Sequence, residues 1–172
     1  MNAPPLFSSD QGRRTGVVKD ERYLNHCMEA DHPECPERLR VLYAMLEDPD
    51  VAGRFEEIAA TSATKEELQR VHSPQYVKRL EATECSAFTF LDEDTSTCAL
   101  SHESALLAAG GLCRAIALVH SGELDNAFAL SRPPGHHAEA SCAKGFCLYN
   151  NVAVGAKFAQ SHLGLERILI VD

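Results

Sequence analysis

The chain is poor in positive charge: 16 Lys and Arg stand against 25 Asp and Glu, giving a formal charge of −9, and no basic cluster appears. Nucleic-acid backbones are bound through such clusters, so no nucleic-acid partner is expected. An unbroken apolar run of 18 residues is also missing, as is a basic segment leading into an apolar one at the start. Neither a membrane span nor a signal peptide is therefore expected, and the chain reads as cytoplasmic. Seven cysteines are present, but no two make a Cys-x-x-Cys pair and their number is odd. That argues against a zinc ribbon and a disulfide framework and for reduced thiols. Internal repeats and low-complexity segments are absent.

What remains is ordinary globular composition, 172 residues with 45% hydrophobic and 24% charged, enough for one domain. The acidic excess serves solubility, or a cationic substrate. Residues 1–14, with Pro4, Pro5, Ser8, Ser9 and Gly12, are expected to form a loose leader, with order beginning near Thr15. Gly16 to Lys19 and Arg54 to Ala59 suggest short strands. Pro36 opens a helix with Leu39, Leu42, Tyr43 and Leu46 at helical spacing. Thr64 and Glu67 have capping-box spacing for a short helix ending near Val71, and Ser73-Pro74 starts another through Tyr76, Val77 and Leu80. Glu84 to Thr97 reads as a loop.

From Ser101 to His120 the pattern is helical, and its middle is so poor in polar groups that it must be largely buried. There Gly110, Gly111 and Cys113 are packing residues, small enough to let a sheet approach. Asn126 to Leu130 is an apolar strand, Asn150 to Ala159 an amphipathic helix, and Arg167 to Asp172 a strand of the continuously apolar kind covered on both faces. Strands alternating with helices imply an α/β layer with a parallel sheet, whose sites lie beyond the carboxyl ends of strands.

The most informative stretch runs from Arg132 to Glu139, where His136 and His137 follow Pro133, Pro134 and Gly135 at the end of a strand. Prolines fix φ near about −65°, so the imidazoles can be aimed. Histidine titrates near about pH 6.5 and can be poised as base or acid. A surface turn with two solvated histidines is the bland alternative, and the flanking sequence weighs against it.

Several segments together resemble the zinc-dependent histone deacetylase family, which includes bacterial acetylpolyamine amidohydrolases and acetoin-utilisation proteins. They are His32 to Leu39, His72 to Val77, Asp94-Thr95, Arg132 to Ala138, Gly145 to Asn151 and Arg167 to Asp172. The Leu148 to Asn151 wording is nearer the class II and bacterial branch. The resemblance implies a three-layer arginase/deacetylase-like α/β fold with a mainly parallel sheet, incomplete in this chain, with residues 15–172 as the N-terminal half of a catalytic domain.

It further implies a hydrolase acting on linear amide C–N bonds, removing acyl groups from lysine side chains or polyamines, with Zn²⁺ as cofactor and K⁺ as a structural ion. His137 would be the main general base and acid, and His136 would hold the water. Asp172 matches the partner of His136 and a potassium ligand. Gly145 and Phe146 match residues lining the acyl-lysine tunnel, Phe146 having a core aromatic as its alternative. Asp94 matches a rim aspartate that binds the substrate backbone, with Asp92 two residues away and solvated loop acids as the plain alternative. His32 and Arg38 would be structural, and no metal ligation follows for Cys147.

The departure from the family lies at the end: the motif that supplies two zinc ligands, the third ligand and the catalytic tyrosine would all follow residue 172, so none of the zinc ligands is expected in this chain. In the family's sheet order the absent strands lie between the third and fourth present here. The 172 residues alone are expected neither to bind zinc nor to turn over, with sheet edges exposed. The alternative is a catalytically dead deacetylase-like fragment that binds acyl-lysine. An arginase-like two-manganese site would share the architecture, but the histidine loop is not its motif. A homo-oligomer stays open.

Overall fold

The computed structural model describes residues 12–172; most of the expected leader falls on residues 1–11, outside them. Three strands make the main sheet: β1 (Thr15–Lys19), β2 (Glu56–Ala59) and β5 (Asn126–Ala129), in the order β2-β1-β5 and all parallel. Gly16 pairs with Glu56 on one side of β1, and Val18 with Ala129 on the other.

Helices cover both faces. Val18 points at α4 (Ser101–His120), where a methyl group on Gly111 would come within 2.8 Å of its side chain. Lys19, one residue on, lies 5.1 Å from the ring centre of Tyr43 in α1 (Glu37–Leu46). Successive strand side chains point to opposite faces, so α1 and α4 sandwich the sheet as the three-layer expectation requires.

The core helix α4 carries the apolar middle anticipated from sequence. Ala105, Leu107, Ala108 and Ala109 are buried, and a methyl group at Gly110 would overlap the Thr61 carbonyl oxygen at 2.0 Å. Although α4 is long and apolar enough to cross a membrane, it packs against β1, β2, β5 and α5 (Asn151–His162). Two short helices, α2 (Lys65–Gln69) and α3 (Pro74–Glu81), lead toward the site. The capping box at Thr64 forms as its spacing predicts: Glu67 N–H donates to Thr64 Oγ1, and Thr64 N–H donates to Glu67 Oε2 at 2.7 Å. Ser73 caps α3.

Two expectations need correction. Residues 84–97 are not simply loop: β3 (Phe88–Asp92) and β4 (Thr95–Cys98) form an antiparallel hairpin. The polar residues of β4 hid it, because Thr95, Ser96 and Thr97 are buried by hydrogen bonding instead of by apolar character. Ser96 Oγ, for example, donates to Glu29 Oε2 at 2.8 Å. The other correction concerns Arg167 to Asp172, which has no β partner among the described residues. Leu169 and Val171 are each 85% exposed. An apolar strand needs both a ladder neighbour and cover on its faces, and β5, at one edge of the sheet, has no second neighbour among the described residues.

Candidate active site around the tandem histidines

β5 runs into the loop that carries both histidines, and the loop is held from several sides. Arg132 is buried and forks onto Glu34, with Nε donating to Oε1 at 2.5 Å and Nη2 to Oε2 at 2.6 Å; its Nη1 donates to the Tyr23 carbonyl at 3.0 Å. Such a two-point guanidinium–carboxylate pair fixes orientation as well as position. Farther along, Asn151 Nδ2 donates to the Pro133 carbonyl at 3.2 Å. A Cβ on Gly135 would lie 2.5 Å from both the Asn151 nitrogen and the Tyr149 carbonyl oxygen, so only glycine lets the loop approach α5 this closely. Asn150 Nδ2 donates to the carbonyls of His136 at 3.4 Å and Ala138 at 3.1 Å, while its Oδ1 accepts from Ala153 N and caps α5.

So held, His136 and His137 are exposed with ring centres 4.2 Å apart. Gly145 lies flat on His137: a Cβ there would be 2.8 Å from His137 Cδ2. The next residue, Phe146, has φ +69°, directly after Gly145 at +55°. A bulky residue in this region is strained by about 1 kcal/mol or more, and such strain gathers at functional turns. The turn aims the Phe146 N–H at Thr95 Oγ1, 3.0 Å away, and Thr95 Oγ1 donates to Asp94 Oδ1 at 2.9 Å. The tip of the hairpin is thereby joined to the Gly145-Phe146 turn. His32 meets the Phe146 ring edge-on at 4.6 Å and accepts the Glu34 N–H at Nδ1.

Of the residues singled out from sequence, His136, His137, Gly145, Phe146 and Asp94 are brought into one connected neighbourhood. The hairpin separates the two candidate aspartates: Asp94 is tied to Phe146 through Thr95, whereas Asp92 Oδ1 accepts the Glu93 N–H at 2.6 Å within its own turn. Asp172 and His136 line one cleft of about 240 Å³ together with Asn150 and Val152, but no hydrogen bond joins the two side chains. Cys147 is fully buried, donates to the Gly145 carbonyl, and has a thiol pushed up by burial, which makes it inert packing. All seven cysteines are free thiols. Arg38 is largely exposed, its Nη1 3.8 Å from Glu34.

Sequence reasoning missed the supports: Glu34, His72, Asn150 and Asn151 received no role. Asparagine before an amphipathic helix was a readable capping signal. Nothing local marks Glu34, whose partner is 98 positions away. Behind Glu34 lies His26, buried, with Nδ1 2.7 Å from Ser101 Oγ. Its Nε2 is 3.4 Å from Glu34 Oε2, close enough for an ion pair yet misaligned for a hydrogen bond. Arg132 already occupies the carboxylate, and burial lowers the His26 pKa to about 4, so this contact is between a neutral ring and a carboxylate.

Among the described residues no group of three or more His, Cys, Asp or Glu is placed to hold a metal ion.

Comparison with known proteins agrees with the geometry. The histone deacetylase domain profile matches residues 32–172. Histone deacetylase 15 of Arabidopsis thaliana is 42% identical over 171 residues, covering 96% of this chain and 31% of that protein. Polyamine deacetylase HDAC10 of Rattus norvegicus is 38% identical over 149 residues, covering 81% and 25%. The solved HDA15 HD domain superposes with a TM-score of 0.83 at 40% identity, over 88% of this chain and 44% of that one. The chain thus spans about a third or less of these two full-length relatives. By its sequence, its sheet and its histidine loop, it belongs to the histone deacetylase family.

Proposed function

We propose that this chain supplies the proton-handling half of a zinc-dependent deacetylase that hydrolyses acyl-lysine or acylpolyamine amides, with the zinc ligands coming from outside residues 1–172. One observation carries the reading. Two imidazoles stand side by side at the carboxyl end of a parallel strand, on a loop anchored at Arg132, Pro133, His136 and Ala138, with Gly145 flat against one of them.

In this reading His137 takes a proton from water as the water oxygen bonds to the amide carbon. The same proton then goes to the leaving nitrogen as the C–N bond breaks, giving a carboxylic acid and an amine; the acid's remaining proton passes to the amine, leaving carboxylate and ammonium. General acid–base help of this kind contributes about 10²–10⁴-fold. His136 orients the water, and Asp172, which shares its cleft without a hydrogen bond to it in this structure, is assigned as its partner. Phe146 lies along the aliphatic stem of the acylated side chain, with Asp94 at the rim.

The test is acetate release by the full-length protein from an acetyl-lysine peptide and from an acetylated polyamine, with zinc quantified in the same preparation. Acetate release from at least one substrate, with one zinc per chain, is the expected result. Peptide binding without release, in protein carrying zinc, would point to the dead-module alternative.

A further inference from the structure

We propose that His72 is a positioning residue for the catalytic loop, locking residues 139–150 in place as one tautomer of the neutral ring. The kinetic part rests on the deacetylase reading. The structural part does not.

His72 is 2% exposed and makes two backbone contacts of opposite sense. Asn150 N–H donates to its Nε2 at 2.9 Å, and its Nδ1 lies 2.9 Å from the Glu139 carbonyl oxygen. A backbone amide can only donate and a carbonyl can only accept, so Nε2 must be bare and Nδ1 must carry the proton. The other neutral tautomer would break both contacts. Protonation would break the first by setting N–H against N–H.

The neighbouring residue reinforces this seam. Ser73 N donates to the Ala140 carbonyl at 2.8 Å, and Ser141 Oγ donates to Ser73 Oγ at 3.1 Å. What His72 fixes is Asn150, whose side chain in turn holds the carbonyls of His136 and Ala138 and caps α5. The path from His72 to the histidine loop is therefore one residue long.

The slot around the ring is rigid and uncharged. Tyr76 and Tyr149 flank it at 5.4 and 5.3 Å between ring centres. The Tyr76 hydroxyl is committed to the Leu148 carbonyl at 2.7 Å, and that of Tyr149 to His102 at 3.0 Å. Glu139 presents its backbone to His72, while its exposed carboxylate turns to Lys144 at 3.3 Å. Among the described residues no cation or carboxylate faces the ring to favour its charged form, and burial holds its pKa below the usual histidine value.

The experiment uses the full-length protein. Long-range ¹H–¹⁵N correlation of its histidine rings should show His72 with a bare Nε2 and a protonated Nδ1 down to a pH at which exposed histidines are already charged. In His72→Phe, which keeps an aromatic ring but loses both contacts, kcat should fall by about tenfold to a hundredfold, the range typical of residues that orient a catalytic group, with KM within a few-fold. The His136 and His137 ring resonances should shift as well. His72→Gln, whose amide can both accept and donate, should recover most of kcat. A protonated Nε2 at neutral pH overturns the proposal, even if His72→Phe does not fold. So does a folded His72→Phe with wild-type kcat and unmoved resonances. If the wild type shows no deacylation, that reading falls and the ring correlations alone decide the structural part.

Discussion

The loop from Arg132 to Asn151 follows an apolar strand, and Arg167 to Asp172 reads in sequence as another such strand, yet the structure treats the two differently. The first is pinned by a buried ion pair, two asparagine side chains and a buried histidine. The second has no ladder partner among the described residues and leaves Leu169 and Val171 open. The anchors of the loop come from elements present in this chain: Glu34 before α1, His72 before α3, and the start of α5. What an apolar strand needs is a neighbour on each side, and hydrophobicity alone cannot supply one. Preorganisation of the histidines is thus local to these residues, while completion of the sheet is not.

The largest effect should come from breaking the anchor that reaches deepest. Glu34→Ala leaves the Arg132 guanidinium buried without its counter-ion, and removing one partner of such a pair costs about 3–5 kcal/mol. Denaturant unfolding should show that loss. A change under about 1 kcal/mol would mean that the ion pair does not hold the loop.

The next effect is set by pH. His26 has a folded pKa of about 4 against 6.5 unfolded, so between those values the unfolded chain binds the proton more readily. Stability should be complete above about pH 6.5 and decline by about 3 kcal/mol as pH falls toward 4, with His72 acting in the same direction. Urea midpoints at successive pH values check this. In His26→Asn the decline should shrink by most of that amount, and an unchanged slope would assign the acid sensitivity elsewhere.

The smallest effect belongs to the other side of the comparison. Leu169→Ser in this 172-residue chain should change stability by no more than about 0.5 kcal/mol, as at other exposed sites. Backbone amides of residues 167–171 should exchange with solvent without protection. Strong protection there would mean that the segment finds a ladder partner.

Much of the fold was legible because hydrophobic period and capping chemistry are local. The helix from Ser101 to His120 was bounded by its own apolar density, and α2 by the Thr64–Glu67 reciprocity. The second strand of the hairpin was not legible, because Thr95, Ser96 and Thr97 are buried through hydrogen bonds, which leave no apolar alternation to read, whereas Phe88-Thr89-Phe90 in the first was a strand signal that went unread. At the site, the chemical residues were visible as types in a motif. Their supports were not, since Glu34 to Arg132 and His72 to Asn150 are pairings made by topology across 98 and 78 positions. The strained Phe146 and its bond to Thr95 belong to the same class.

The most direct test of the central claim is kcat for His137→Ala in the full-length protein on an acetylated substrate, with its fold verified by circular dichroism and thermal unfolding. The tandem-histidine account predicts a loss of at least about a hundredfold, the lower bound for a missing general base and acid, with unfolding unchanged because the side chain is exposed. A folded variant that keeps kcat within about threefold of wild type would contradict it.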